Sequence, residues 1–284
     1  MLNFEENLAI IAGDGDLPKE VIKYCESVGC KYTVFSINNN DIHENYAVHY
    51  KYNIGQSSKI FSKLHELNIK NILMVGKAHR PTIFEFNLDL RTIKFILGVG
   101  FNAFKKNSII GDDYLLRKVI CEIEKEGFNV IGIEEILSDY FLSPGLFTVN
   151  SPTIREDKEI NTGLIASKRL GYNDLGQSVV LNNGSIIGEE SYQGTDYLIK
   201  SLNYNDQNYL NPILIKTVKP NQDRRIDLPV IGLTTIDLCI SYGFRGIVVE
   251  ANGTLINDKD YVIKKCNEKG LFLMSVDCSL VEYK

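Results

Sequence analysis

The chain has 284 residues, 44% hydrophobic and 24% charged, with a formal net charge of −5 at pH 7. Such a composition buries a real core without disulfides or a structural metal. Its acidic balance argues against a nucleic-acid partner, whose phosphates require a basic face.

Taken in chain order, Leu8-Ala9-Ile10-Ile11-Ala12 is a continuous apolar run ending in a glycine-rich turn. It predicts a buried strand followed by a helix from Pro18 to about Val28. Tyr32 to Ile37 predicts a second strand, and Ser57 to Leu67 a helix with Ile60, Phe61, Leu64 and Leu67 on one face. Asn71 to Gly76 reads as a strand, Asp112 to Glu126 as a helix, and Phe128 to Ile133 as a strand after a Gly127 stop. Short apolar strands alternating with amphipathic helices predict a parallel sheet covered on both faces; a mixed α+β sheet is the alternative. Turn signals at Ser143-Pro144-Gly145 and Ser151-Pro152 put a linker at 136–152, between an N-terminal domain (1–135) and a C-terminal domain (153–284).

In the second half, a long helix from about Thr153 to Leu170 precedes two strands, Ser178 to Leu181 and Ser185 to Gly188. Asn182-Asn183-Gly184 joins them as a hairpin whose Asn and Gly accept positive φ. Ile213 to Val218, Gly246 to Glu250 and Leu271 to Val276 read as strands, Asn252-Gly253 as a turn, and Lys259 to Glu268 as a helix. The expected class is α/β in two domains, the first a parallel sheet with helices on both faces, the second α+β with hairpins.

The N-terminus, Met1-Leu2-Asn3-Phe4-Glu5-Glu6, lacks the basic and apolar regions of a secretory signal, and no apolar run approaches the ~20 residues of a membrane span. A soluble cytoplasmic protein is expected, with membrane contact only peripheral. Six scattered cysteines without a C-x-x-C pair read as reduced thiols, several of them buried.

Gly13-Asp14-Gly15-Asp16-Leu17-Pro18 leaves a strand and opens a helix, where nucleotide-binding domains place a phosphate loop. Pro18 stands where a dinucleotide fingerprint needs its third glycine, and Asp14 and Asp16 would repel a pyrophosphate. Two readings stay open: a tight turn without a ligand, and a turn that Gly13 and Gly15 allow to approach one.

The richest stretch, Lys216 to Pro229, carries Lys216, Lys219, Arg224 and Arg225 around Asp223 and Asp227. Lys and Arg hold phosphoryl oxygens, and a carboxylate holds a hard cation or orients water; a solvated surface loop is the alternative. In Glu189-Glu190-Ser191-Tyr192-Gln193-Gly194-Thr195-Asp196, Thr195 or Asp196 either caps a helix or helps to hold an anion and Mg²⁺. Gly111-Asp112-Asp113 opens a helix, as its dipole favours. Lys77 and Arg80 follow a central strand, where ligands of open α/β sheets bind. Phe84 to Phe104 is rich in large apolar side chains, suited to a core, an acyl groove or a membrane surface. No H-E-x-x-H, zinc spacing, G-x-S-x-G or Walker A loop is present. What remains is oxygen-ligand metal chemistry on a phosphorylated substrate. A nucleotide-dependent oxidoreductase using the Gly13 turn and a non-catalytic nucleotide-sugar or lipid binder are the alternatives.

Along nearly its whole length the chain resembles the LpxI type of UDP-2,3-diacylglucosamine pyrophosphatase. The resemblance rests on Gly13 to Pro18, Gly76 with Arg80-Pro81, Gly111-Asp112-Asp113 with Leu115-Leu116-Arg117, and Glu124-Lys125-Glu126-Gly127-Phe128. It continues in Gly194-Thr195-Asp196, Lys219-Pro220-x-Gln222, Arg225-x-Asp227-Leu228-Pro229 and Ile231-Gly232. It implies a Rossmann-like N-terminal domain and Mg²⁺-dependent release of UMP and 2,3-diacylglucosamine 1-phosphate in lipid A biosynthesis. It further implies that water attacks the phosphorus on the sugar side and that Asp227 is the pivotal acid. Implied contacts to substrate come from Gly13, Gly15, Lys77, Arg80, Gly194, Thr195, Lys219, Gln222 and Arg225. Asp227, Glu190 and Asp196 are the implied metal ligands, with Asp227 either binding the metal or orienting water. Asp14, Gln193 and Asn252 depart from the family pattern, which expects Gly, Glu and Gly there.

Overall fold

The computed structural model describes residues 7–37, 48–53, 55–76, 88–100, 112–202, 211–220, 222–225 and 228–282, excepting the side chains of 112 and 113. The chain divides into two units, Met1–Ser138 with Asp223–Asp227, and Asp139–Gln222 with Leu228–Lys284.

In the first unit β1 (Leu8–Ala12), β2 (Tyr32–Ile37), β3 (His49–Tyr52), β4 (Asn71–Val75) and β5 (Asn129–Ile131) form one sheet in the order β3-β2-β1-β4-β5. Every pairing is parallel. Among the described residues four helices belong to it: α1 (Leu17–Val28), α2 (Ser57–Glu66), α3 (Leu90–Val99) and α4 (Asp112–Lys125). The chain steps from β1 to β2 in one direction and from β3 to β4 in the other, so right-handed crossovers put α1 and α2 on opposite faces. The side chains agree. Ile60 and Leu64 of α2 and Ile120 and Ile123 of α4 share one cluster with Ala9, Phe35, Ile72 and Val130. Their strand neighbours Ile10, Val34 and Leu73 are fully buried on the other face. Part of the apolar run from Phe84 to Phe104 becomes α3, capped by Asp89, whose Oδ1 accepts the Thr92 N–H at 2.8 Å. Thr92 and Ile96 face inward, while Leu90 and Leu97 stay 80% and 60% exposed, so this described part of the run is only partly core.

The second unit holds β6 (Gly145–Leu146), α5 (Ile154–Tyr172), β7 (Ser178–Asn182), β8 (Ser185–Glu189), α6 (Thr195–Ser201) and β9 (Ile213–Lys216). After these come β10 (Val230–Ile231), α7 (Leu233–Ser241), β11 (Gly246–Glu250), β12 (Leu255–Ile256), α8 (Lys259–Lys269) and β13 (Phe272–Val276). Six strands make a mixed sheet ordered β6-β13-β11-β9-β7-β8, and β10 pairs with β12 apart from it. The hairpin turn after β7 uses Asn183 at φ 49° and Gly184 at φ 79°, as the sequence predicts. Period-two alternation separates the two faces of the sheet. Val180, Leu214, Ile247, Val249 and Leu273 pack with α6, α7 and α8. Val179, Leu181, Ile213, Ile215, Val248 and Phe272 pack with α5.

Helix α5 starts on a capping box, Thr153 Oγ1 accepting the Glu156 N–H and Glu156 accepting that of Thr153. It then lies along β9 in register. Four helical residues advance about 6 Å and two strand residues about 6.6 Å. Accordingly Gly163 meets Ile215, Ser167 bonds Thr217 at 2.8 Å, and Gly171 meets Lys219. A Cβ on Gly163 would lie 2.3 Å from Ile215 Cδ1 and 2.6 Å from Leu181 Cδ1. No helix among the described residues is long and apolar enough to cross a membrane. We expect Gly163→Val to cost about 1–3 kcal/mol through overpacking, read as a lower urea midpoint. An unchanged midpoint would show that α5 can lift from β9 freely.

Candidate functional site

The strand order of the first unit reverses between β1 and β4, and ligands of open parallel sheets bind at such a switch point, beyond the carboxyl ends of the strands. Gly13 and Gly76 stand there. The Gly13 N–H donates to Val75 O at 2.8 Å, and a Cβ on Gly76 (φ 96°) would lie 2.8 Å from the Gly13 carbonyl carbon. Gly76 is therefore glycine for two reasons, its φ and the backbone pressed against it. Gly15, at φ 104°, faces open space. Pro18 occupies the first turn of α1, where its missing N–H costs nothing. Lys77 and Arg80 lie outside the described residues, as does Asp227.

Residues 223–225 group with this unit. Arg225 spans Asp223, at 3.0 Å and 2.8 Å to its two oxygens, and Glu124 at 2.5 Å. Arg224 pairs with Glu134 at 2.6 Å. Gly132 leaves room for the segment, its would-be Cβ 3.6 Å from Arg225 Cα. The bonds from Arg225 hold the Asp223 carboxyl below its ordinary value and raise the guanidinium's own.

In the second unit one hydroxyl organises the polar core. Thr195 Oγ1 donates to Glu190 Oε2 at 3.1 Å and accepts from Lys216 Nζ. Because its single hydrogen is used on Glu190, Ser178 Oγ, 3.1 Å away, must donate to it as well. All four side chains are buried, with Lys216 5% and Glu190 8% exposed. Gly176 lets Glu190 come this close, since a Cβ there would sit 2.5 Å from Glu190 O. Asp196 is separate, its Oδ1 accepting from Thr235 on α7 at 2.7 Å.

The helix-cap reading of Thr195 and Asp196 is corrected here. Gly194, at φ 87°, is the N-cap of α6, with no side-chain cap bond. Thr195 and Asp196 lie in the first turn, where the Thr195 hydroxyl bonds Glu190 and Lys216 and one Asp196 oxygen accepts from Thr235.

Lys219 pairs with Asp174 at 2.7 Å. Both polar atoms of the Gln222 side chain are buried without a hydrogen-bond partner among the described residues. That is costly unless something fills the need. Among the described residues no group of three or more His, Cys, Asp or Glu side chains is arranged to hold a metal ion.

Sequence reasoning set Lys216, within the strand read from Ile213 to Val218, among residues that could hold phosphoryl oxygens; the structure buries its side chain in the core. Period two could have found it, because Lys216 follows Leu214 on one face of β9 and pairs with Ser178. The buried pair of Lys168, on α5, with Glu250, at the end of β11, was missed altogether. No local motif marks it, since its members are 82 residues apart.

The family model described as the LpxI N-terminal domain matches residues 7–140, and the one described as the LpxI C-terminal domain matches residues 143–274. UDP-2,3-diacylglucosamine pyrophosphatase LpxI of Caulobacter vibrioides is 32% identical over 282 residues, 95% of this chain and 97% of its own length.

Because Asp223 has a folded-state pKa below its ordinary 3.8, its contribution is complete above that value and is lost as pH falls through the lower one. Asp223→Asn should therefore destabilise the protein clearly at pH 7 and progressively less toward about pH 2. Urea midpoints across that range test this, and a difference independent of pH would overturn it.

Proposed function

The chain belongs to the LpxI family, and on that premise we propose that it hydrolyses the pyrophosphate of UDP-2,3-diacylglucosamine in lipid A biosynthesis, with Mg²⁺, giving UMP and 2,3-diacylglucosamine 1-phosphate. The observation that carries this reading is the match of both family domains, from residue 7 to residue 274, in one chain. The oxidoreductase alternative gains no support from a turn whose third position is Pro18 and whose Gly76 contact is explained by packing.

Phosphoanhydride hydrolysis asks a protein mainly for positioning and charge neutralisation. Mg²⁺, when bound, supplies positive charge to the phosphoryl oxygens, and it takes one or two carboxylates rather than a full protein cage. The described acids fit that modest demand unequally. Asp196 has one oxygen engaged by Thr235, leaving the other to offer. Glu190 is buried and bound to Thr195, so it suits an organising role better than a ligand's. Asp227 is the residue on which the proposal turns, as ligand or as the base that orients water. The unsatisfied Gln222 amide is suited to a polar group of the substrate. A diacyl substrate is met at a bilayer surface, for which the exposed Leu90 and Leu97 of α3 are suited.

Purified protein given UDP-2,3-diacylglucosamine and Mg²⁺ should release UMP, and a chelator should stop it until Mg²⁺ is restored. Asp227→Asn should lower kcat by about 10²-fold or more with an unchanged unfolding midpoint. Wild-type turnover in that variant would remove Asp227 from its place, and turnover in chelator would remove the metal.

A further inference from the structure

We propose that the buried pair Lys168–Glu250 is a positioning device for the reaction, fixing the direction in which the chain leaves β9 toward Lys219 and Gln222. This inference rests on the pyrophosphatase reading above. Lys168 Nζ lies 2.8 Å and 2.6 Å from the two oxygens of Glu250, and the side chains are only 8% and 15% exposed. Both ions also bind the backbone of one residue. Lys168 Nζ donates to Val218 O at 3.1 Å, and Glu250 Oε2 accepts the Val218 N–H at 2.7 Å. The carbonyl and amide of Val218 are thus clamped by opposite charges carried on α5 and at the end of β11.

The neighbours leave this residue little freedom. A Cβ on Gly253 would lie 2.5 Å from Val218 Cγ2, and one on Gly171 would lie 3.1 Å from Lys219 Cα and 3.3 Å from Pro220 Cδ. Ser167, one residue before Lys168, bonds the Thr217 hydroxyl and the Gln177 carbonyl, each at 2.8 Å. Residues 217 to 220 are therefore held one after another, two positions before Gln222, whose side-chain amide atoms are buried without a partner among the described residues.

Burying an ion pair gains little stability over an apolar pair of similar volume. What this pair adds is direction. Methionines in its place could fill the space but could bond neither the carbonyl nor the amide of Val218. Misplacing substrate-binding groups by about 1 Å is enough to slow chemistry by about 10²-fold.

The test compares wild type with the double variant Lys168→Met/Glu250→Met and with Glu250→Asp, which keeps the charge but shortens its reach. Four quantities are read: kcat and KM for UMP release, amide exchange of Thr217, Val218, Lys219 and Gln222, and the thermal midpoint. Both variants should lose about tenfold or more in kcat, keep KM within about threefold, and exchange these amides at least about tenfold faster. If the double variant does not fold, Glu250→Asp decides alone. A lower thermal midpoint with unchanged kcat, or unchanged exchange of those four amides, overturns the proposal and leaves the pyrophosphatase reading intact. Wild type that releases no UMP removes that reading and this one with it.

Discussion

The second unit depends on how closely α5 can approach β9. A helix face written Gly163, Ser167, Gly171 has almost no side chain to hold it off the sheet, and its rise matches alternate strand residues. That contact fixes more than packing. With Gly163 seated on Ile215, Lys168 reaches Val218 and Glu250, and Gly171 comes against Lys219 and Pro220. The sheet's other face is set by the same alternation, which turns Leu214 and Lys216 toward α6 while Ile213 and Ile215 face α5.

Buried polar groups follow from that geometry. Once Lys216 is turned inward its ammonium requires partners, because an unpaired buried charge is far costlier than a lost hydrogen bond. Thr195 meets the need and passes the connection to Glu190, so an acid and a base are linked through one hydroxyl with no oxygen valence to spare. Thr195 therefore acts on any ligand through Lys216 and Glu190, or has to give up a bond first. Asp196, bonded among the described residues by Thr235, is freer than Glu190.

Much of the fold was legible because several signals agreed locally. The hairpin at Asn182-Asn183-Gly184, the all-apolar β1, the Ile72–Val75 run of β4, and the amphipathic α2 each combine a local pattern with a clear stop. Elements decided by tertiary contact were not legible. Thr234-Thr235-Ile236 is β-branched and reads poorly as a helix start, yet α7 forms because Ile236 and Cys239 are buried. Gly145-Leu146, within a stretch of turn signals, becomes a strand only by pairing with β13. The site divides in the same way. Gly194, Thr195 and Asp196 stand at the start of α6 as read, but their bonds run to residues far along the chain, and Arg225 turns to Glu124, 101 positions away. Residue types were readable; partners across the sequence were not.

Those partners bear on how an acidic protein could hold a pyrophosphate. Each described cation of the 216–225 stretch is already engaged: Lys216 by Thr195, Lys219 by Asp174, Arg224 by Glu134, and Arg225 by Asp223 and Glu124. A diphosphate approaching Lys219, Arg224 or Arg225 competes with carboxylates already in place, so each cation gained exposes an acid that repels the same substrate. The conflict eases in two ways. An ion pair half open to water is worth about 1 kcal/mol or less, so a bidentate phosphate can displace it. A divalent cation can also take up the released carboxylate and the phosphate together, turning a repulsion into shared ligation. This second route gives the proposed Mg²⁺ dependence its physical support. It would also let an acid such as Asp227 take its proposed central place in a reaction whose substrate carries its own negative charge.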